Sequence, residues 1–343
     1  MGYDLGEADT RALLQQACEA RGMSADGARL LRLGSNAVYQ LAAPTVVRIG
    51  RPDSDSALAR QTVAVARWLE SAGYPAVRAI DVDQPLVING HAVTFWEALS
   101  DEYATIEEVA DVFARLHKLT APASLHLSEL EPFADADKRL AGSDWLSPDE
   151  REYMTSELGR LREEYARLDF VLPRGVIHGD ANIGNVLHDR NGKPTVIDLD
   201  DFCTGPREWD LIQTALYTDR YGWHTREQYE SFVRVYGYDI MRWPGYPVLA
   251  DIREFIQVTW MVQKAGESKQ TADEARKRLN TLRTGASRED WLPFLLPLRT
   301  SYTRSRRPRG ALASPTRRLG RRSRSGRPNQ PVGWREDISQ EPP

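Results

Sequence analysis

Apolar residues in the first hundred positions recur at two different spacings. The segments 6–22 and 55–72 show the three-to-four-residue spacing of amphipathic helices. Between them, residues 28–50 contain three short apolar runs that predict antiparallel strands. Further short runs predict strands at 77–80, 85–88 and 92–95, with Asn89-Gly90 as a hairpin turn between the last two. The N-terminal part of the chain therefore predicts a small antiparallel sheet accompanied by two helices.

The apolar spacing in the rest of the chain is mainly helical. Residues 105–119 open on a capping box formed by Thr105 and Glu108, and apolar residues then follow on one face. A charged amphipathic helix is predicted at 148–168, and a capping box at Thr271 predicts the start of a last helix. Together with the N-terminal sheet, this pattern predicts an α+β protein.

Polar residues interrupt the apolar pattern most clearly within residues 176–201. Asp180 and Asn185 are five positions apart, and Asp198 follows Asp180 by eighteen. Apolar residues flank each of the three. Asn191-Gly192 lies between two strand-like runs and predicts a two-residue hairpin turn, which would hold Asn185 and Asp198 at neighbouring strand ends.

Two carboxylates and an amide in this arrangement suit phosphoryl transfer. That reaction needs a carboxylate to orient the attacking hydroxyl and hard oxygen ligands for Mg²⁺. We expect Asp180 to accept the proton, Asn185 and Asp198 to hold Mg²⁺, and His178 to orient the loop. The alternative interpretation is a buried hairpin whose polar residues are incidental.

Two motifs also carry a family resemblance: His178-Gly179-Asp180-x4-Asn185 and Ile197-Asp198-x-Asp200. They resemble the catalytic and metal-binding loops of the aminoglycoside phosphotransferase family, which are small-molecule kinases with a protein-kinase-like fold. The resemblance covers roughly residues 25–285. Protein kinases proper have Arg at the position of Gly179 and Phe-Gly after the metal-binding Asp. Leu199 and Asp200 stand there instead, so a protein substrate is disfavoured.

The resemblance implies a two-lobed fold that binds ATP and Mg²⁺ between the lobes. The N-terminal nucleotide-binding lobe would span 1–97 and the catalytic and substrate lobe 98–300. The segment joining them would offer backbone groups of Glu97 and Leu99 to adenine. A core strand end with an exposed Glu is the alternative interpretation of this segment.

The N-terminal lobe also carries candidate phosphate contacts. Ser35 and Asn36, in the turn after Gly34, would cover the phosphates with backbone N–H groups, although such a sequence is also an ordinary turn. The resemblance favours a phosphate contact for Arg48 in the third strand; a solvated edge residue is the alternative. The family's helix Glu that pairs with this cation is missing here, so Arg48 is either held differently, for example by Asp198, or unpaired.

Further acidic residues surround the two motifs. Asp210 resembles the family's structural Asp, which precedes a core helix and supports the catalytic loop; a solvated helix cap is the alternative. Asp200 and Asp201 lie next to the metal position in sequence and are candidates for contacting the substrate. Aromatic and acidic residues over 209–260 could bind a polyamine-like or sugar-like molecule, although most such aromatics are ordinarily core.

Charge is unevenly distributed along the 343 residues. The net charge of −4 combines +8 in residues 301–343, which contain eleven Arg, with −12 in the rest of the chain. An acidic body favours a cationic small-molecule acceptor over nucleic acid. The Arg-rich tail has few apolar residues and predicts disorder. Nucleic-acid binding would depend on this tail alone, and a solvated or non-native end is the preferred interpretation.

Several classes of protein are disfavoured by the sequence. No run of 18 apolar residues is present, and the N-terminus does not resemble a signal peptide. Cys18 and Cys203 fit no metal-binding spacing and indicate reduced thiols, so a cytoplasmic location is expected.

Three functions agree with these observations. The first is transfer of the γ-phosphoryl group of ATP to a hydroxyl of an aminoglycoside-like antibiotic, for resistance or self-protection. The second is a metabolite kinase acting on choline, an amino alcohol or a sugar. The third is a nucleotide-binding regulatory protein without turnover, which the missing helix Glu alone supports.

Overall fold

The apolar runs of the N-terminal part form a sheet in the structure. The computed structural model describes residues 6–34, 36–52 and 56–293. Within these residues the larger sheet is antiparallel, with the strand order β1-β2-β3-β5-β4. Its strands are β1 (Arg29–Leu33), β2 (Asn36–Gln40), β3 (Thr45–Pro52), β4 (Leu86–Ile88) and β5 (His91–Glu97).

Two helices accompany this sheet, as the spacing predicts. Helix α1 (Glu7–Ala20) packs its apolar face against the sheet, where Leu14, Tyr39 and Phe95 are buried in one core. Helix α2 (Ser56–Ser71) buries Val63, Val65, Ala66 and Leu69 in a second core that it shares with the helices farther along the chain. Helix α2 therefore connects the sheet to the remainder of the protein.

The hairpin turn and one of the strands predicted after α2 have different outcomes. Asn89 and Gly90 both have positive φ, at 50° and 82°, and form the predicted two-residue turn between β4 and β5. The strand predicted at 77–80 is wrong. That segment makes only isolated bridges, because its backbone changes partner from Val196 to Trp96 within a few residues.

Helices dominate the second half of the chain. The helices after β5 are α3 (Ile106–Leu116), α4 (Ala136–Ala141), α5 (Pro148–Ala166), α6 (Glu208–Asp219), α7 (Arg226–Tyr236), α8 (Tyr246–Lys264) and α9 (Lys269–Thr284). The capping box of Thr105 and Glu108 is present at the start of α3. The cap predicted at Thr271 is wrong, because Ser268 caps α9 and Thr271 lies inside it.

Two small antiparallel ladders lie among these helices and carry the polar stretch. Strand β6 (Arg174–Ile177) pairs with β9 (Cys203–Pro206), and β7 (Val186–His188) pairs with β8 (Pro194–Val196). The two-residue turn predicted between β7 and β8 is wrong. Asp189 N–H donates to Lys193 O across a three-residue loop. Gly192 is the residue of that loop with positive φ, as in a turn followed by a bulge.

The α+β prediction is confirmed: a small antiparallel sheet with α1 is followed by a mainly helical region. The predicted tail at 301–343 lies outside the described residues. Among the described helices, none has the length and apolar character needed to cross a membrane.

Candidate active site

The loop after β6 carries Asp180, and its carboxylate is held by four donors. One oxygen accepts from Gln213 Nε2 at 2.8 Å and from Arg253 Nη2 at 2.6 Å. The other accepts from Asn182 Nδ2 at 3.2 Å and from Asn185 Nδ2 at 3.0 Å. The carboxylate is therefore fixed in orientation while remaining partly open to solvent.

Gly179 allows this loop to pass close to the segment after β8. Its φ is +84°, in the left-handed region that favours glycine. A Cβ at this position would collide with the backbone carbonyl of Asp201. The close approach explains why glycine, rather than the arginine of protein kinases, precedes Asp180 in this chain.

Asp210, which lies in α6, binds the same loop through hydrogen bonds to its backbone. Its buried carboxylate accepts from the N–H groups of His178 and Gly179, at 2.7 and 2.9 Å, and contacts His117 Nε2 at 3.0 Å. Burial raises the pKa of Asp210, but the hydrogen bond and charge of His117 and the backbone donors outweigh it, so the pKa is lowered. The side chain therefore lies in the position that a loop-supporting role requires, and it is not a solvated cap.

His178 joins the Asp180 loop to the Asp198 loop. Its Nδ1 accepts from the Asp180 N–H at 3.2 Å, so Nε2 carries the proton and donates to Ile197 O at 2.9 Å. Phe113 and Phe202 contact the ring edge-on and exclude solvent. A fully buried histidine fixed at both nitrogens lies where the predicted loop-orienting role requires it.

Asn185 and Asp198 are brought together by the β7–β8 ladder. Ile197 N–H donates to Asn185 O at 2.9 Å, immediately before Asp198. Asp198 has φ 58° and ψ 64°, a left-handed conformation that costs energy for a residue with a Cβ. Loss of hydration within the cleft and the charges of Asp200 and Asp180 raise the pKa of Asp198, while the charge of Arg48 opposes them.

This donor set fits a magnesium ion that is completed by other ligands. Asn185 uses its amide nitrogen on Asp180, which leaves its carbonyl oxygen to coordinate, and the Asp198 carboxylate is about half exposed. Among the described residues, no group of three or more His, Cys, Asp or Glu side chains could hold a metal. Two protein oxygens with phosphates and waters are what Mg²⁺ commonly uses.

The principal ion-pair partner of Arg48, on β3, is the carboxylate of Asp200. Arg48 Nη1 donates to Asp200 Oδ1 at 2.9 Å, and Nη2 contacts the other oxygen. Thr62, on α2, also donates to Asp200 Oδ1, at 3.1 Å. Asp198 lies farther from the guanidinium, at 3.8 Å. The partner predicted for Arg48, Asp198, is therefore secondary, and Asp200 supplies the carboxylate that α2 lacks.

Asp201 remains on the open side of the cleft, next to Asp180. Loss of hydration there, together with the charges of Asp180 and Asp198, raises its pKa to about 6. Arg253 opposes this shift. Of the two carboxylates predicted to contact substrate, Asp201 is the accessible one, since Asp200 is already bound to Arg48.

The described residues that were predicted to contact nucleotide lie in the larger sheet or directly after it: Asn36, Arg48, Glu97 and Leu99. Asn36 pairs with Gly50 at the start of β2, whereas Ser35 lies outside the described residues. Glu97 N–H donates to Arg78 O, so this residue could offer adenine only its carbonyl. Among the described residues, the Leu99 N–H donates to no protein acceptor and remains available.

Arg253 and Gln213 are the site residues that the sequence did not reveal. Arg253 comes from α8, is buried, and stacks over Trp209 with 4.9 Å between the guanidinium carbon and the ring centroid. Gln213 is in turn held by Tyr217, whose hydroxyl donates at 2.9 Å. Asp210, Gln213 and Tyr217 follow a helical spacing on α6, which was an available signal. No sequence signal marked Arg253, because the tertiary fold alone brings it into contact with Asp180, 73 positions away.

Several solved structures share the fold of this chain. Amicoumacin kinase hAmiN, solved with AMP-PNP, Ca²⁺ and Ami, is 14% identical with a TM-score of 0.65; the match covers 83% of this chain and 97% of that one. Aminoglycoside phosphotransferase APH(3'')-Id from Streptomyces rimosus is 21% identical with a TM-score of 0.53, covering 72% and 98%. A choline/ethanolamine kinase family protein from Mesorhizobium loti is 19% identical with a TM-score of 0.53, covering 81% and 94%.

These likenesses establish the protein-kinase-like two-lobed fold. No curated protein sequence matches the chain. Residues 28–252, well over half of the chain, match the sequence model of the phosphotransferase enzyme family. The chain therefore belongs to the phosphotransferase enzyme family and is a small-molecule phosphotransferase.

Proposed function

We propose that this protein transfers the γ-phosphoryl group of ATP to a hydroxyl of a cationic, aminoglycoside-like small molecule. The observation that carries the proposal is the contact between the two loops. Asn185 donates its side-chain amide to Asp180 and accepts at its backbone from Ile197, directly before Asp198. Asn185 thereby links Asp180, the residue proposed to orient the acceptor, to Asp198, a residue proposed to hold the metal.

In the proposed reaction, Asp180 orients the acceptor hydroxyl toward the γ-phosphorus. The acceptor oxygen forms a bond to that phosphorus, the bond to the bridging oxygen of ADP breaks, and the acceptor proton passes to the Asp180 carboxylate. Arg253 and Gln213 hold that carboxylate, so its geometry does not depend on the acceptor. Little covalent chemistry is required of the protein, because catalysis of this reaction is mainly positioning and charge stabilisation.

On the nucleotide side, we propose that Arg48 and the turn at Ser35 and Asn36 contact the phosphates. The carbonyl of Glu97 and the N–H of Leu99 would receive adenine. Asn185 and Asp198 would hold Mg²⁺, which when bound neutralises charge on the phosphates. The Arg48–Asp200 ion pair keeps the guanidinium in the cleft without a glutamate on α2. This pair removes the one reason for expecting a protein without turnover.

Charge and fold support the choice of acceptor. Solved structures with this fold include aminoglycoside phosphotransferases, among them the Streptomyces rimosus enzyme. The body of the chain carries a net charge of −12, and Asp201 faces the cleft beside Asp180. An ammonium group near Asp201 would favour its ionised form. A choline, amino alcohol or sugar kinase remains the second candidate, favoured by the likeness to the choline/ethanolamine kinase family protein.

An acceptor panel tests the proposal. The protein is incubated with Mg·ATP and aminoglycosides, choline, ethanolamine or sugars, and ADP formation is followed together with the mass of each acceptor. We expect an aminoglycoside to gain one phosphoryl group. Phosphorylation of choline, ethanolamine or a sugar alone would move the function to the second candidate. ATP binding without transfer to any acceptor would contradict both.

A further inference from the structure

Strand β1 contains a bulge that redirects an arginine. Leu30 pairs with Tyr39 and Arg32 pairs with Val38, so Leu31 has no partner of its own on β2. An extra residue in one strand shifts the alternation of side chains after it. Arg32 therefore occupies the position opposite Val38, which without the bulge would belong to Leu31.

The bulge places Arg32 in one row with Arg48. Val38 pairs with Arg32 on one side and with Arg48 on the other. Directly paired residues of antiparallel strands project from the same face of a sheet. The two guanidinium groups thus extend from the face that meets Asp198 and Asp200 across the cleft.

The Arg32 side chain lies beside Gly34, at the turn that follows β1. Its Nε lies 3.4 Å from where a Cβ on Gly34 would be. Burial lowers the pKa of Arg32, and the charge of Arg48 lowers it further, while the charges of Asp198 and Glu267 raise it. The guanidinium is thus half-buried at the tip of the proposed phosphate turn, within the field of the proposed metal ligand.

Arg32 differs from Arg48 in its ion pairing. Arg48 is bound by Asp200 and has Asp198 at 3.8 Å. Among the described residues, no carboxylate lies within ion-pair distance of Arg32. A half-buried guanidinium that has lost water without gaining a carboxylate favours an anion, and its planar donor fork matches phosphate.

We propose that Arg32 is a second phosphate-binding residue, which contacts the polyphosphate of a nucleoside triphosphate from the sheet side of the cleft. This inference rests on the proposed function, because it needs a nucleotide between the lobes. Arg48, whose charge is largely neutralised by Asp200, would position the phosphates, while Arg32 would supply the net positive charge.

Nucleotide binding without an acceptor tests this assignment. Calorimetry is used to compare Mg·ATP with adenosine on the wild type, Arg32→Gln and Arg32→Lys. Arg29→Gln is the matched control, because Arg29 is an exposed arginine of the same strand. We expect Arg32→Gln to weaken Mg·ATP at least about tenfold, as for a lost hydrogen bond to a charged group, with adenosine unchanged. Arg32→Lys should retain part of the affinity, and Arg29→Gln all of it.

The other outcomes separate the two proposals. Equal weakening of Mg·ATP and adenosine would show that Arg32 supports the turn and does not bind phosphate. Unchanged Mg·ATP binding in Arg32→Gln would overturn the assignment of Arg32 and leave the proposed function intact. A wild-type protein that binds no nucleotide would overturn both.

Discussion

Replacing Asp210 by Asn tests whether the buried carboxylate holds the catalytic loop. The change leaves the volume almost unaltered but puts an amide nitrogen against groups that now donate to a carboxylate, namely the N–H groups of His178 and Gly179 and Nε2 of His117. At least one buried donor then loses its acceptor, and His117 loses a charged partner.

The expected cost follows from those three contacts. Breaking a buried ionic network by removing one member costs about 3–5 kcal/mol. For a domain of this size each kcal/mol lowers Tm by roughly 2–4 °C, so we expect Tm to fall by about 6–20 °C. Misplacement of the Asp180 loop should also lower kcat about 100-fold. Calorimetric unfolding, and activity assayed well below the variant's transition, measure the two effects.

The pH dependence gives an independent check on Asp210. Its pKa is lowered in the folded protein, so its stabilising contribution is fully present above the unfolded pKa of about 3.9 and is lost as pH falls toward the folded value. Asp210→Asn should lose less stability than the wild type on acidification through that range. Asp111→Asn, which breaks an exposed pair with Arg115, is the control and should change stability by less than about 0.5 kcal/mol. Equal Tm and kcat in Asp210→Asn and the wild type would refute the supporting role.

Three further predictions concern groups around the cleft. Arg253→Gln removes the 2.6 Å contact with Asp180, so kcat should fall about tenfold or more while the KM for ATP changes little in steady-state assays. Asp200→Asn weakens the ion pair that positions Arg48, so the KM for ATP should rise several-fold. Thr62→Val removes only one hydrogen bond to Asp200, so it should raise the KM for ATP less. The KM for a cationic acceptor should rise as pH falls below about 6, because Asp201 then becomes neutral, and Asp201→Asn should abolish that dependence in a pH series.

Each of these predictions has an outcome that contradicts it. A wild-type kcat in Arg253→Gln would mean that Asp180 needs no support from α8. If Asp200→Asn alters the KM for the acceptor and not that for ATP, Asp200 belongs to the substrate site. A pH dependence that survives in Asp201→Asn would assign the titration to another group.

Local sequence signals predicted the parts of the site that lie within one segment. The residues from His178 to Asn185 form a single loop, and the spacing of Asp180 and Asn185 within it directly reflects their contact. The Asn89-Gly90 turn and the capping box at Thr105 were equally local, since the residues that decide them are adjacent or three apart.

Contacts made through the tertiary fold could not be predicted in the same way. Arg48 and Asp200 are 152 positions apart, and Arg253 is 73 positions from Asp180. Nothing in α8 distinguishes Arg253 from a solvated charge until the helix is packed against Trp209. The bulge at Leu31 depends on how β1 pairs with β2, which the composition of β1 alone does not specify.

The most direct test of the central claim is phosphoryl transfer by Asp180→Asn, measured in a single turnover with an acceptor identified from the panel. Asparagine keeps the size of the side chain but cannot take the acceptor proton. We expect transfer to fall by at least about 100-fold while Mg·ATP binding, measured by calorimetry on the same preparation, stays at the wild-type level. Transfer at the wild-type rate in this variant would contradict the assignment of Asp180 and, with it, the proposed arrangement of the active site.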